Sequence, residues 1–293
     1  MISSMPMPSE PSLERVHSNG VDYAVHVLGD GPPVLLLHGF PETHWSFAHN
    51  WDAIAAAGYR VIAVDLKGYG HSDKPLPMSP HGDYRISRLA DEVGALIQAL
   101  GHEQMDVVGH DWGGVIMSAM MLRCPGRIRR AVLINAPFRR FVPWRPRHIY
   151  FFNLPKLPER RFWKNPTRFV RNILNHWTHR QDVFTDEDVR RYVRPFQQGN
   201  GIACALAYYR GLRKDLAFLG RAQLPRQAPK GGFPPTLILW GARDPIMPPA
   251  VARMAHADLP ESELMLIPDA GHFVHRESPE AANAAIVRFL DQP

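Results

Sequence analysis

Cysteine is nearly absent: Cys124 and Cys204 are the only two in 293 residues, and they lie far apart. That excludes a disulfide framework, and without a Cys-x-x-Cys pair it excludes the metal sites built on one. No apolar run approaches the roughly 20 residues of a membrane-spanning helix, so stable membrane insertion is not expected. The stretch from Met1 to Pro11 is rich in Ser, Pro and Met. It lacks the basic and apolar regions of a secretory leader, which makes a reducing, cytoplasmic setting the expectation. No nucleic-acid motif and no internal repeat is visible, so nucleic acid is not an expected partner.

Acid is scarce in the middle of the chain. Residues 138–232 hold 20 of the 34 Lys/Arg but 6 of the 28 Asp/Glu. Such a split marks a segment of different character. Either its cations dock on an acidic remainder and solvate helix faces, or they attract anionic substrates or lipid surfaces. Overall, 45% hydrophobic and 21% charged residues describe a globular chain rather than a disordered one. The length suits one large domain, or a domain with an insertion.

Outside that segment the pattern alternates. Val21–Leu28 reads as an edge strand. Short apolar runs at 33–38, 59–64, 105–108, 130–134, 236–240 and 263–267 read as buried strands. Helical spacing covers 45–57, 86–100, 115–122, 250–257 and 279–290, with Gly58 and Gly101 as stop signals. Strands alternating with helices predict a mostly parallel α/β sheet. The alternation lapses over 138–232, where helix-like pieces lie near 168–177, 186–197 and 202–212. The expected organisation is a core of 1–137 and 233–293 interrupted by a helical cap of 138–232. Its hinges are expected in the Pro-rich stretches 137–146 and 225–235.

The chemistry-bearing feature is Gly109-His110-Asp111-Trp112-Gly113, between a buried strand and a helix. A small–x–nucleophile–x–small turn pushes its central side chain out at the carboxyl edge of the sheet. The flanking glycines are needed because a Cβ would clash. The commoner central residue is Ser; here it is Asp. A carboxylate is ionised at neutral pH and attacks without a base. It suits a saturated carbon bearing a strained ring oxygen or a halide, and leaves an ester that activated water must cleave. The dipole of the helix starting at Trp112 favours the ionised form. The plainer reading, Asp111 as a helix N-cap, does not account for glycines on both sides.

Asp244 and His272 each follow a predicted strand, where parallel sheets place ligand chemistry. The order nucleophile, acid, histidine is that of α/β-hydrolase sites. His272 is then the water-activating base, and Asp244 orients it. The backbone N–H groups of Phe40 and Trp112 are the expected oxyanion donors. Pro41 stiffens that loop and is a candidate for a cis bond.

Taken together, His38-Gly-Phe-Pro-Glu42, Asp65-Leu-Lys-Gly-Tyr-Gly70, Gly109-His-Asp-Trp-Gly-Gly114, Trp240-Gly-Ala-Arg-Asp244 and Gly271-His272 resemble the α/β-hydrolase-fold epoxide hydrolases across nearly the whole chain. The resemblance implies an α/β-hydrolase fold with a helical cap and opening of an epoxide to a vicinal diol through an ester on Asp111. It implies no metal or organic cofactor, and a small-molecule epoxide as partner. It also implies two cap residues that protonate the leaving oxygen. Tyr209, before Arg210, matches one. Where the second Tyr is usual stands His148, with Tyr150 the alternative if the register slips; neutral His can donate through one ring N–H. His38, Pro41, Trp112 and Tyr150 are expected to line the substrate. Monomer and homodimer both remain open.

Two other readings compete. A haloalkane or haloacid dehalogenase shares the Asp nucleophile, with Trp112 where a halide-binding Trp stands. Against it, Phe40 stands where the haloalkane enzymes usually have Asn, and Trp112 where the fluoroacetate branch usually has Arg. A ligand-binding protein on a hydrolase scaffold need not keep every catalytic group, yet here all of them have a candidate.

Overall fold

The computed structural model describes residues 8–139, 147–181, 183–219, 229 and 231–292. The chain order is β1 (Ser12–Ser18), β2 (Val21–Leu28), β3 (Pro33–Leu37), a 3-10 turn (His44–Phe47), α1 (Trp51–Ala56), β4 (Arg60–Val64), α2 (Ile86–Ala99), β5 (Met105–His110), α3 (Trp112–Arg123) and β6 (Ile128–Ile134). Five helices follow: α4 (Arg147–Asn153), α5 (Leu157–Lys164), α6 (Pro166–Trp177), α7 (Asp186–Phe196) and α8 (Gly201–Leu219). The sheet then resumes with β7 (Thr236–Gly241), α9 (Pro249–Asp258), β8 (Glu263–Ile267), α10 (Val274–Glu277) and α11 (Pro279–Leu290).

The eight strands form one sheet in the order β1-β2-β4-β3-β5-β6-β7-β8. From β4 to β8 all pairs are parallel; β1 and β2 pair antiparallel, as do β2 and β4. The apolar runs are the reason. Leu35, Leu36, Val107, Val108, Val132 and Leu133 are wholly buried, because helices cover both faces of a parallel sheet. In register, Leu36 lies between Ala63 on β4 and Val108 on β5. From β3 the chain therefore runs to one side and later returns on the other. Loops leaving β3 and β5 diverge at such a switch point and open a crevice at the carboxyl ends of the strands.

Two expectations need correction. Val21–Leu28 is not the edge strand, because β1 pairs outside it. The signal of β1 was weak because most of its side chains are exposed and two, Glu14 and Arg15, are charged. The segment 45–57 is not one helix but the 3-10 turn plus α1. Trp45, Phe47, Trp51 and Ile54 keep helix-like spacing on the core side. Between the two pieces the Asn50 amide is drawn off to the His275 carbonyl (3.1 Å) and to Asn283 (2.7 Å). The hinge stretches expected at 137–146 and 225–235 fall largely outside the described residues.

Helices α4–α8 stand between β6 and β7 and pack through aromatics, among them Phe152, Phe162, Phe169, Trp177 and Phe196. A capping box starts α7: Thr185 Oγ1 accepts the Asp188 N–H (3.1 Å), and the Asp188 carboxylate accepts the Thr185 N–H (2.9 Å). The other Asp188 oxygen takes the Trp45 indole N–H and the Arg276 guanidinium, each at 2.9 Å. One carboxylate thus both starts a helix of the inserted segment and ties it to the core. Among the described residues no helix is long and apolar enough to cross a membrane.

Candidate active site

Asp111 sits where β5 passes into α3, with φ +47° and ψ −115°. A non-glycine residue held there costs of order 1–3 kcal/mol, which surrounding contacts must offset. Two neighbouring glycines permit the turn. A Cβ on Gly39 would collide with the Asp111 side chain, and one on Gly113 with the Leu37 carbonyl. The Gly113 N–H donates to the His38 carbonyl at 3.0 Å, locking the two loops together.

Asp111 Oδ1 accepts the Phe40 N–H at 2.9 Å. Its Oδ2 lies 3.5 Å from His272 Nε2. His272 Nδ1 donates to Asp244 Oδ2 at 2.9 Å. Three residues from three loops thus form one line, carboxylate–imidazole–carboxylate. Burial alone raises a carboxyl pKa, but hydrogen bonding and charge from His272, charge from His110 and the Phe40 N–H outweigh it, and Asp111 lies below its usual range. Burial lowers His272, yet Asp244 and Asp111 overcome it and raise the imidazole to about 10. The resting pair is carboxylate and imidazolium.

The Asp244 carboxylate is itself held. Oδ1 accepts the N–H groups of Ile246 (2.7 Å) and Met247 (2.9 Å), and Oδ2 also takes the Asn135 amide (2.7 Å). Asn135, at φ +41° just past β6, anchors through its Oδ1 on the Gly241 N–H (3.2 Å). The sequence reading missed Asn135, although an Asn directly after a buried strand was a signal. It also missed the partners of Glu42. That carboxylate binds His110 Nδ1 (2.9 Å), and His110 Nε2 donates to the His272 carbonyl (3.0 Å). The His272 N–H in turn donates to the Trp177 carbonyl of α6 (3.1 Å). Glu277 accepts the N–H groups of Gly271, Phe273, His179 and Arg180 at 2.8–3.1 Å. The His272 loop is thus pinned to the inserted helices.

Tyr209 and His148 face this line from α8 and α4. The Tyr209 ring lies edge-on to Trp112 with centroids 4.8 Å apart, and 5.9 Å from His148. His148 packs on Trp177 at 4.7 Å, and Trp177 on His272 at 5.5 Å. Burial, then the Asp111 charge, pushes the Tyr209 phenol well up. Burial lowers His148 to about 4, so it is neutral at pH 7. The Tyr209 hydroxyl and the Trp112 indole nitrogen are buried close to each other, with no well-formed hydrogen bond to any of the described residues. Buried donors left in this way are what a ligand oxygen can satisfy.

Two lining expectations, Tyr150 and His38, come out differently. Tyr150 is 60% exposed. On α4 it sits about 200° around the axis from His148, whereas Phe152, one turn on, shares the His148 face. His38 is wholly buried with both ring nitrogens on backbone: Nδ1 donates to the Gly39 carbonyl (2.8 Å) and Nε2 accepts the Leu66 N–H (3.1 Å). It braces the loop instead of lining the cleft. Pro41 follows a cis bond and is buried. Tyr208, expected in the core, donates to the Lys67 carbonyl (2.7 Å).

The model of the alpha/beta hydrolase fold family matches residues 32–279. The AB hydrolase superfamily protein YfhM of Bacillus subtilis is 31% identical over 288 residues, spanning 94% of this chain and 96% of that protein. Epoxide hydrolase 3 of Xenopus tropicalis is 30% identical over 295 residues, spanning 95% and 77%. The chain belongs to the epoxide hydrolase family of the α/β-hydrolase fold. The crystal structure of an epoxide hydrolase from Vigna radiata superposes with a TM-score of 0.83 at 26% identity, over 96% of this chain and 98% of that one. In this epoxide hydrolase family member, Asp111, Asp244 and His272 each stand just beyond the carboxyl end of a strand, β5, β7 and β8 in turn.

Proposed function

We propose that this hydrolase opens epoxides to vicinal diols through an ester on Asp111. The observation that carries the reading is a carboxylate paired to a buried His–Asp couple on one side, with Tyr209 and His148 facing it from the inserted helices. Residues 138–232 act in this reading as a cap over the core.

Phe40 holds Oδ1, so Oδ2 is the attacking oxygen. It forms a bond to a ring carbon, the ring C–O bond breaks, and the ring oxygen takes a proton from Tyr209, with His148 donating a second hydrogen bond. Asp111 loses its charge on becoming an ester. With that charge gone, one support for the high His272 pKa is gone too, and the imidazolium gives up its proton, which returns through solvent to the Tyr209 phenolate. Neutral His272 then takes a proton from water, whose oxygen attacks the ester carbonyl carbon. The N–H groups of Phe40 and Trp112 hold the resulting oxyanion. The acyl C–O bond breaks, the leaving diol oxygen takes the proton from His272, and the carboxylic acid left on Asp111 passes its remaining proton to His272, restoring carboxylate and imidazolium.

The test is diol formation from a panel of aryl and alkyl epoxides. A cleft of about 550 Å³ with Phe152, Phe169 and Trp177 in its wall and Arg147, Arg161, Lys164 and Arg168 around it reaches His148. Carboxylate-bearing epoxides therefore belong in the panel, and their rates are expected to fall with salt. No diol from any member refutes the reading. Tyr209→Phe is expected to lower the alkylation rate by about 10²–10⁴-fold while leaving ester hydrolysis little changed. Single-turnover kinetics separates the two steps; an equal loss in both would remove Tyr209 from the donor role.

The orphaned Trp112 indole favours one second reading, dehalogenation, since it can donate to a leaving halide. Halide release from chlorinated or fluorinated substrates, without diol from epoxides, would replace the first reading with this one.

A further inference from the structure

We infer that His26, His44, Asp65 and His71 form a transition-metal site, of Zn²⁺ type, that clasps the loop after β3 to the turn after β4. One ligand atom from each residue lies within 4.8 Å of every other. The four come from separate places: His26 from β2, His44 from the 3-10 turn, Asp65 from the end of β4, and His71 from the turn that follows.

Asp65 is the hub. Its Oδ1 accepts the His44 N–H (2.9 Å) and faces His44 Nδ1 (2.8 Å); its Oδ2 accepts the His71 N–H (2.8 Å). His26 Nε2 lies 3.4 Å, and His71 Nδ1 3.6 Å, from Oδ2. The two backbone N–H groups would suffice to organise the loops around this carboxylate. Three imidazoles in addition are more than that task needs.

His26 supplies the second observation. Its side chain is 7% exposed, and Nε2 is aimed at Asp65 Oδ2 from 3.4 Å without a well-formed hydrogen bond to any of the described residues. Buried ring nitrogens are normally satisfied. The His26 and His44 rings stack with centroids 3.3 Å apart and planes 10° from parallel. Stacking at that distance suits neutral rings. Neutral imidazole and ionised carboxylate are the metal-binding forms.

The donor set selects the ion. Three nitrogens and one carboxylate oxygen suit Zn²⁺, Co²⁺ or Ni²⁺, whereas Mg²⁺ and Ca²⁺ prefer oxygen alone. At metal–ligand distances of about 2.0–2.1 Å, tetrahedral ligand atoms lie about 3.4 Å apart, so separations of up to 4.8 Å must close on binding while the His44–Asp65 approach of 2.8 Å opens. Four protein ligands leave no open position, which marks a structural site. The His71 side chain, 53% exposed, gives the ion a way in. The clasped loop begins at Gly39 and carries the Phe40 N–H, so the metal would stiffen an element of the active site without touching substrate.

The experiment uses the full chain dialysed against a chelator. Zn²⁺ is titrated by calorimetry, bound zinc is counted by mass spectrometry, and Co²⁺ is added to look for the visible bands of tetrahedral coordination. One equivalent is expected to bind and to raise Tm, since a ligand of the folded state stabilises it. His71→Gln and His26→Gln should weaken binding by about 100-fold or more. His17→Gln, on exposed β1, should not. Because His71 is a half-exposed side chain, its variant keeps the fold and isolates the ligand role. Absence of stoichiometric binding, or equal binding by His71→Gln, overturns the site. In that case the histidines only solvate Asp65. Neither outcome depends on turnover.

Discussion

Asp111→Asn is expected to lower turnover by at least about 10⁴-fold while the protein stays folded. The amide is no nucleophile toward an epoxide carbon, and Asp244 cannot stand in, because its oxygens are occupied by Asn135, His272, Ile246 and Met247. The fold survives because Asn tolerates positive φ about as well as Asp, and its side-chain carbonyl can keep the Phe40 N–H. The substitution also removes a charge that raises His272. The imidazole pKa should therefore drop from about 10. The folded pKa of His272 lies above its unfolded value, so its contribution to stability is complete below about pH 6.5 and fades as pH rises toward about 10. That contribution should shrink in Asp111→Asn. Ring-carbon NMR titration of His272 in both proteins reads the shift directly. Near-normal turnover, or an unmoved His272, would remove Asp111 from the centre of the mechanism.

The second large effect separates the two half-reactions. His272→Gln is expected to lower steady-state turnover by about 10⁴-fold or more and to let one equivalent of ester accumulate. Gln can still bond Asp244, so the pocket keeps its shape, but it cannot take a proton from water. Alkylation does not need that proton transfer and should persist. Intact-protein mass spectrometry should find the whole mass of an epoxide added to Asp111, because ring opening expels nothing. An organohalide would add its alkyl group alone. An unmodified His272→Gln protein that also forms no diol would place the imidazole in the attack step instead.

Much of the fold was legible along the chain. Buried parallel strands are short, apolar and bounded by turns, so β3 to β7 were visible; β8, a half-buried edge strand, kept an apolar run as well, and β8 and α11 match the expected ranges residue for residue. β1 was missed because an edge strand faces water and carries no core pattern. Helices α4 and α5 were missed because they are short and their buried faces are set by neighbouring helices rather than by a long amphipathic stripe.

The site divides in the same way. Glycines around Asp111, and an Asp and a His each just past a strand, are local features, because a sharp turn demands particular residues at fixed spacing. The sequence alone therefore determined the fold class, the reacting carboxylate as candidate and the identity of its expected partners. What only the tertiary structure decided is which side chains converge: Asn135 on Asp244, Glu42 through His110 on the His272 carbonyl, His148 rather than Tyr150 beside Tyr209, and three histidines around Asp65. These meetings depend on sheet order, helix register and loop packing, which bring together residues distant in sequence. Spacing along a chain records backbone geometry, not which distant side chain completes a hydrogen bond.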